Sequence, residues 1–113
     1  MDIRENVIVI PALDPDKKLI NTVAGLHEVG LDKIILVNDG SDAACEHIFL
    51  NALRIGCEVV THEVNRGKGA ALKSGISAAL KIYGDNINII TASDRHGQTA
   101  TVTFKITAQS HIL

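Results

Sequence analysis

The sequence predicts an α/β fold of three layers, with a mostly parallel sheet between helices on both faces. Four short runs of β-branched and aliphatic residues alternate with segments that have the periodicity of amphipathic helices. The runs are almost wholly apolar, which is typical of parallel strands buried on both faces. Right-handed crossovers between such strands predict the order 3-2-1-4, with the first strand in the centre of the sheet.

Two strands and two helices are predicted in the first half of the chain. The strands are the runs 7–10, which Pro11 is expected to end, and 34–37. The helices cover residues 15–29 and about 42–55, and a glycine stops each of them. This alternation is the pattern of crossover units in a parallel sheet.

The second half of the chain continues the alternation and then changes character. A strand over 58–61, a helix over 69–83 and a strand over 87–91 are predicted. Residues 101–107 alternate strictly between polar and apolar, which predicts a half-exposed edge strand near the C-terminus. Its connection from the fourth strand is too short for a standard crossover.

The core is expected to be aliphatic, because the chain has two phenylalanines, one tyrosine and no tryptophan. Burial is expected for eight residues of the strands and the third helix: Ile8, Val9, Ile35, Leu36, Val59, Leu72, Ile76 and Ile89. Ile55 and Leu80 are expected to face inward from the second and third helices.

The composition bounds the class of protein. With 113 residues, 46% of them hydrophobic and 21% charged, the chain has room for one globular domain. The net charge of −2 gives no general electrostatic attraction to nucleic acid or to anionic lipid, and nucleic acid is not expected as a partner. No apolar run approaches the roughly 18 residues of a membrane-spanning helix, and no signal peptide is apparent. A cytoplasmic location is therefore expected.

Cysteine and histidine form no metal motif or disulfide framework in the sequence. Cys45 and Cys57 are expected to be buried, reduced thiols. Four histidines without partners at ligand spacing are expected to be surface or satisfied structural residues: His27, His47, His62 and His111.

An acidic turn, Asn38-Asp39-Gly40-Ser41, follows the second strand. Open α/β sheets bind nucleotides at the carboxyl ends of their strands, where Asp39 can accept a hydrogen bond from a base N–H or a ribose hydroxyl. Residues of these types are also common in turns and at helix starts. The residues alone therefore leave two interpretations, a nucleoside contact or a turn that caps the next helix.

A second turn, rich in glycine and lysine, precedes the third helix in the segment 65–73. Gly67 and Gly69 permit close approach of a ligand to the backbone, and the free N–H groups of a helix start favour an anion. Lys68 adds a positive charge. The spacing excludes the P-loop, which needs Ser or Thr after Gly-Lys, and the GxGxxG fingerprint, which needs glycine where Leu72 stands. A glycine-rich helix start without a ligand is the alternative.

Together these segments resemble the family 2 glycosyltransferases, which have the Rossmann-like GT-A fold. The string 64–73 is similar to the family segment after the third strand, and residues 38–41 resemble its Asp-Asp-Gly-Ser pattern with one acid amidated. The loop 11–16 is similar to the family loop after the first strand. The resemblance implies a donor site for a nucleotide sugar formed by Pro11, Ala12, Asp14, Asp39, Gly67, Lys68 and Gly69.

The activity that this resemblance implies is like that of the polyprenyl-phosphate sugar transferases. A UDP- or GDP-sugar would be the donor, and a lipid phosphate or a saccharide would be the acceptor. The resemblance also implies a divalent metal, manganese or magnesium, held by an Asp-x-Asp motif after the fourth strand. Here Asp94 is the first acid and His96 replaces the second, before Gly97-Gln98. A structural loop without metal is the alternative, because histidine supplies no negative charge.

The resemblance covers residues 1–98, and residues 99–113 are a divergent tail. Residues 1–113 are therefore expected to form a single, truncated family 2 domain that lacks the acceptor half. No acidic residue follows Asp94, so the general base of inverting transfer is missing and catalysis by the chain alone is not expected. The predicted edge strand and the missing half favour a homo-oligomer.

Two other functions are weighed against this one. The first is a non-catalytic nucleotide-binding module, or a remnant completed by a partner chain. The second is a dinucleotide-binding domain of the oxidoreductase type. The missing third glycine argues against the second, and so does the position of the Gly/Lys turn after the third strand rather than the first.

Overall fold

The structure, a computed structural model, describes residues 5–95, 98–100 and 105–108. The strands of the main sheet are β1 (Glu5–Ala12), β2 (Ile34–Asp39), β3 (Glu58–His62), β4 (Ile87–Thr91) and β7 (Lys105–Ala108). A small hairpin is formed by β5 (Ser93–Arg95) and β6 (Gln98–Ala100). The helices are α1 (Lys18–Glu28), α2 (Glu46–Arg54) and α3 (Lys68–Tyr83), with a 3-10 turn (Ala43–Cys45) before α2. None of the helices in this part of the chain has the length and hydropathy that a membrane span requires.

The sheet has the topology that the sequence predicts. Its strand order is β3-β2-β1-β4-β7, and the first four strands are parallel. This confirms the predicted order 3-2-1-4 with the first strand in the centre. β7 pairs antiparallel with β4 at the edge of the sheet, which agrees with the predicted edge strand. Residues 101–104 of the predicted strand lie outside the described residues.

Alternation along the strands divides the core into two layers. Even-numbered residues of the central strands pack on the face covered by α1 and α2: Ile8, Ile10, Ile34 and Leu36. Odd-numbered residues pack on the face covered by α3: Val7, Val9, Ile35 and Val37. Because side chains alternate between the two faces of a strand, the same rule assigns a face to each residue where a strand ends.

The prediction that Pro11 ends the first strand is wrong. β1 continues through Pro11 to Ala12, and Pro11 is the register partner of Val37 in β2. The carbonyl of Val9 accepts a hydrogen bond from the Ala92 N–H on the β4 side of β1. Pro11 faces the same side two residues later, where β4 has already ended at Thr91. Its missing N–H therefore removes no ladder hydrogen bond.

Five of the eight predicted core residues are fully buried: Ile8, Val9, Ile35, Leu36 and Ile89. The other three, Val59, Leu72 and Ile76, are half-buried. Val59 lies on β3, which has a neighbour on one side only among the described strands. The expectations for Ile55 and Leu80 are wrong, because their side chains are 38% and 36% exposed.

The reason for the exposure of the larger α3 residues is a stripe of small ones. Ala71, Gly75 and Ala79 recur every four residues and are the buried residues of α3. These small residues let the helix lie close to β1 and β2, and the larger Leu72 and Ile76 pack at its flank. The face of α3 that the sequence predicts to be buried, with Leu72, Ile76 and Leu80, is therefore turned around the helix axis from the face that contacts the sheet.

The close contact predicts a destabilising effect for a single methyl group at Gly75. A Cβ atom there would overlap Cγ1 of Val9 and lie 3.0 Å from Cγ2 of Val37. Both neighbours are β-branched side chains with little freedom to rotate away. We expect Gly75→Ala to lower the free energy of unfolding, measured in urea, by about 1–3 kcal/mol.

A matched control lies in α1. Gly25 is also inside a helix, but a Cβ atom there would meet nothing within 4 Å. Gly25→Ala should raise the free energy of unfolding by about 0.5–1 kcal/mol, because alanine has the higher helix propensity. Adding Val9→Ala to the Gly75→Ala variant should recover part of the lost stability, because it removes the side-chain atom that the new methyl group overlaps. Equal effects at the two glycines would contradict the close contact.

Candidate functional site

The candidate site lies at the carboxyl ends of the parallel strands. We call this side of the sheet, with the loops that follow the strands, the rim. Ala12, Asp39, His62 and Thr91 are the last residues of β1, β2, β3 and β4. Open parallel sheets bind their ligands on this side. The rim brings together the predicted acidic turn after β2 and the Gly/Lys turn after β3.

Asp39 holds the turn between β3 and α3. Its side chain is buried, with 4% of the residue exposed. Oδ1 accepts hydrogen bonds from Nδ1 of His62 at 2.8 Å and from the backbone N–H of Arg66 at 2.9 Å. Oδ2 accepts a hydrogen bond from the backbone N–H of Gly67 at 3.0 Å. One carboxylate therefore fixes both the end of β3 and the start of α3.

These contacts also set the ionisation of Asp39. Burial alone would raise the pKa of the carboxyl, because it penalises the charged form. The hydrogen bond from His62, those from the N–H groups of Arg66 and Gly67, and the charge of His62 act in the opposite direction and prevail. The pKa of Asp39 therefore lies below its usual value of 3.8. At neutral pH the site contains a fixed negative charge.

His62 is a member of the site that the sequence analysis did not bring together with Asp39. It is buried, with 8% of the residue exposed, and its Nε2 lies 2.7 Å from Oγ of Ser74 in α3. The prediction of a surface or satisfied structural histidine is confirmed for His62, which is buried and hydrogen-bonded, although its partners were missed. The prediction is wrong for His27, because its buried Nε2 atom has no hydrogen-bond partner among the described residues. The available signal was topological, because Asp39 and His62 each end one of two adjacent parallel strands and are register partners.

Strand alternation explains why Asp39 and Asn38 have separate partners. Asp39 lies on the face of Val37, toward α3, whereas Asn38 lies on the opposite face, toward α2. Oδ1 of Asn38 accepts a hydrogen bond from the backbone N–H of Ser41 at 3.0 Å. Asn38 thus closes the acidic turn, and Asp39 holds the Gly/Lys turn.

A chain of hydrogen bonds joins the loops after β1 and β2. The backbone N–H of Asp14 donates to Oγ of Ser41 at 2.9 Å, and Oδ1 of Asp14 accepts from the backbone N–H of Asp42 at 2.7 Å. Asp14 has a positive φ of 48°, which turns the chain so that both contacts form. Asp14 is exposed at the rim, whereas Pro11 and Ala12 are buried below it.

The start of α3 leaves backbone donors without protein acceptors. Gly67 has a φ of 94° and no side chain to cap the helix, and the first carbonyl accepting from within α3 is that of Gly67 itself. Within the described part of the chain, no acceptor takes the N–H of Lys68, Gly69 or Ala70. Lys68 and Gly69 are exposed. This end of α3 offers N–H groups and a lysine to an anion.

The predicted metal ligands are only partly described. The backbone of Asp94 lies in β5, which follows β4 and contacts β1 at the same edge of the sheet. His96 lies outside the described residues. Among the residues that the structure describes, no three or more His, Cys, Asp or Glu side chains converge on a position for a metal ion.

The two cysteines are free thiols. Cys57 is buried, and burial together with the charge of Glu58 raises its pKa to about 11. Cys45 is half-buried rather than buried, and burial and the charges of Asp14 and Asp42 raise its pKa. Both thiols therefore stay protonated at neutral pH.

Comparison with known proteins gives a family and one curated relative. Residues 7–100 match the family described as Glycosyl transferase family 2. The uncharacterized protein MJ1222 of Methanocaldococcus jannaschii is 36% identical over 94 residues, which are 83% of this chain. The chain spans 36% of the length of that relative. No solved structure matches the chain significantly.

Proposed function

The chain belongs to glycosyl transferase family 2, and we propose that its rim binds the nucleoside diphosphate of a UDP- or GDP-sugar. The observation that carries the proposal is the contact of Asp39 with the N–H groups of Arg66 and Gly67. It holds the uncapped start of α3 beside a buried carboxylate at the carboxyl edge of the sheet. A nucleotide sugar needs both an anion site and an acceptor for its nucleoside.

The diphosphate would bind at the start of α3. The N–H groups of Lys68, Gly69 and Ala70 are donors without protein acceptors in the described residues, and the positive end of the helix dipole adds to them. The side chain of Lys68 supplies a full positive charge. Gly69 leaves room for the phosphates, since a Cβ atom there would meet nothing within 4 Å.

The nucleoside would bind between the loops after β1 and β2. A carboxylate has about four lone-pair positions, and Asp39 uses two on Oδ1 and one on Oδ2 for protein donors. We infer that the remaining position on Oδ2 accepts a ribose hydroxyl or a base N–H. Asp14 lies exposed at the same rim, above Pro11 and Ala12, and would contact the nucleoside from the other side.

A divalent metal would be held by Asp94 and His96 after β4. Asp94 offers a carboxylate oxygen and His96 an imidazole nitrogen, a set that suits manganese better than magnesium, which prefers oxygen. When bound, the metal would neutralise charge on the diphosphate. The chain's own residues, Lys68 and the start of α3, would bind and orient the phosphates.

Inverting transfer of the sugar would need a carboxylate as general base, and no Asp or Glu follows Asp94 in these 113 residues. We propose that the acceptor, a lipid phosphate or a saccharide, meets the donor on a surface provided outside them. The alternative is a non-catalytic nucleotide-binding module, or a remnant completed by a partner chain. Self-association and a cytoplasmic location stay predictions.

Calorimetric titration with UDP, GDP and NAD, with manganese and with a chelator, tests the proposal. We expect UDP or GDP to bind and NAD not to bind. Lys68→Ala should weaken the binding about tenfold, as expected for loss of a charged contact. Lys81→Ala is the matched control, because it removes the same charge from the exposed far end of α3 and should leave the affinity unchanged.

The outcomes separate the candidate functions. Absence of UDP and GDP binding would overturn the proposal, and preference for NAD would favour a dinucleotide-binding domain. Equal effects of Lys68→Ala and Lys81→Ala would place the diphosphate elsewhere. Binding without sugar transfer to a polyprenyl phosphate would favour the non-catalytic module.

A further inference from the structure

His62 connects the candidate site to the middle of α3. Its ring is buried between Oδ1 of Asp39 at 2.8 Å and Oγ of Ser74 at 2.7 Å. Ser74 lies in the second turn of α3, six residues beyond the helix start at Lys68. The ring therefore spans the space between the end of β2 and the helix whose start forms the anion site.

The chemistry of the partners fixes the orientation of the ring. An ionised carboxylate only accepts hydrogen bonds, so Nδ1 of His62 must carry the proton that it donates to Asp39. Nε2 can accept from the hydroxyl of Ser74 or, when protonated, donate to it. The contact with Asp39 has the same polarity in both cases, and the Ser74 hydroxyl rotates to suit.

Asp39 links His62 to the turn before α3. Oδ1 of Asp39 accepts from both His62 and the N–H of Arg66, while Oδ2 accepts from the N–H of Gly67. Loss of the His62 contact would free the carboxylate to rotate about its Cβ–Cγ bond. The N–H of Arg66 would then lose its acceptor, and the N–H of Gly67 would keep only Oδ1 of Asn65, at 2.8 Å within the same turn. The start of α3 would no longer be held to the end of β2.

An Asp–His–Ser chain also resembles the triad of acyl-transfer enzymes, but the position of Ser74 does not suit a nucleophile. Ser74 lies inside α3, where the helix ladder occupies the neighbouring backbone N–H groups. The serine therefore has no backbone donors beside it for an oxyanion. The hydrogen bonds of His62 with Asp39 and Ser74 therefore orient side chains and do not form an acyl-transfer triad.

We propose that His62 is a positioning residue of the nucleotide site. Anchored on α3 by Ser74, it orients Asp39 so that the N–H groups of Arg66 and Gly67 are held and the start of α3 faces the diphosphate. This inference rests on the proposed function for its ligand. The contacts of Asp39 with the turn can be measured without any ligand.

Two substitutions separate the two contacts of His62. His62→Asn places an amide N–H near the position of Nδ1, so it can keep the bond to Asp39 and lose the bond to Ser74. His62→Gln places its amide near the position of Nε2, so it can keep Ser74 and lose Asp39. Asn88→Ala is the stability control. Asn88 is a buried polar residue near the amino end of β4, away from the carboxyl ends of the strands where the site lies.

Two readouts are measured for each variant, the ¹H–¹⁵N signals of Arg66 and Gly67 and the affinity for UDP and GDP. We expect His62→Gln to move both amide signals and to weaken binding about tenfold, the loss of one hydrogen bond to a charged group. His62→Asn and Asn88→Ala should leave both signals and the affinity close to those of the unchanged chain, whatever their effect on thermal stability.

Unmoved amide signals in His62→Gln, or equal changes in the Asn and Gln variants, would overturn the positioning role. If the unchanged chain binds neither nucleotide, the proposed function fails. The amide signals alone then decide whether His62 positions the turn, so the two failures are distinguishable. If His62→Gln does not fold, His62→Phe replaces it, because a phenyl ring fills the space of the imidazole and donates no hydrogen bond to Asp39. It should move the same two amide signals, and no change would overturn the role.

Discussion

Replacing Asp39 with alanine is expected to lower the free energy of unfolding by about 3 kcal/mol. The carboxylate is buried and accepts from three protein donors, Nδ1 of His62 and the backbone N–H groups of Arg66 and Gly67. An alanine at this position leaves Nδ1 of His62 and the N–H of Arg66 without their acceptor, and it leaves the N–H of Gly67 with only Oδ1 of Asn65, at 2.8 Å. The turn before α3 loses its anchor. Nucleotide binding at the rim should be lost with it.

Urea denaturation measures the loss, with Asp32→Ala as the control. Asp32 is an exposed aspartate in the loop before β2, and a change at such a surface position is expected to stay within about 0.5 kcal/mol. A loss at Asp39 as small as that at Asp32 would show that the three hydrogen bonds contribute little. Asp39 would then be only a turn residue.

Acid pH tests the same carboxylate through its ionisation. The pKa of Asp39 in the folded chain lies below the usual value of 3.8, so the folded state favours the ionised form. The stability that this provides is present above the unfolded pKa and is lost as the pH falls through the lower, folded pKa. When the pH is lowered from neutral to below 3.8, the free energy of unfolding should therefore fall less for Asp39→Asn than for the unsubstituted chain. Equal losses would contradict the lowered pKa.

Much of the site follows from the sequence because strand periodicity and turn chemistry are local properties. The apolar run before Asp39 predicts a buried parallel strand, and the carboxyl end of such a strand predicts the rim. The turn at Gly67 is predicted in the same way from glycine and lysine at a helix start. Both residues lie where these arguments place them.

The partners of Asp39 could not be predicted in the same way. They depend on how close the turn after β3 comes to the end of β2, which is set by packing rather than by any one segment. His62 has no partner within its own turn, and Ser74 lies twelve residues later in the chain. Its role emerges only when β3 is aligned with β2 and α3 lies on the sheet above them.

The buried face of α3 was also predicted wrongly because it depends on packing. Its large residues, Leu72 and Ile76, form a plausible apolar stripe in the sequence, but Ala71 and Gly75 make the closest approach. Burial rules favour large side chains, whereas close packing of a helix on a twisted sheet selects small ones. The difference is one residue of helical rotation, about 100°.

A second large effect is expected at Gly40, where the turns after β2 and β3 touch. Gly40 has a φ of +72°, in the left-handed region that disfavours a side chain. A Cβ atom there would overlap the backbone N of Asn65 and the carbonyl carbon of Val64, and lie 2.9 Å from Cα of Asn65. Backbone atoms cannot rotate away, so the whole turn before α3 must move.

Gly40→Ala should therefore lower the free energy of unfolding by about 3 kcal/mol, the sum of the left-handed backbone cost and the overpacking cost. Gly30→Ala is the matched control, because Gly30 has a φ of +88° but a Cβ atom there would meet nothing within 4 Å. It should cost only about 1–2 kcal/mol and leave nucleotide affinity unchanged. The amide signals of Arg66 and Gly67 should move in Gly40→Ala alone, since only that change pushes the turn away from Asp39. Equal costs for the two glycines, with the amide signals in place, would mean that the turns tolerate separation and that Asp39 alone holds the start of α3.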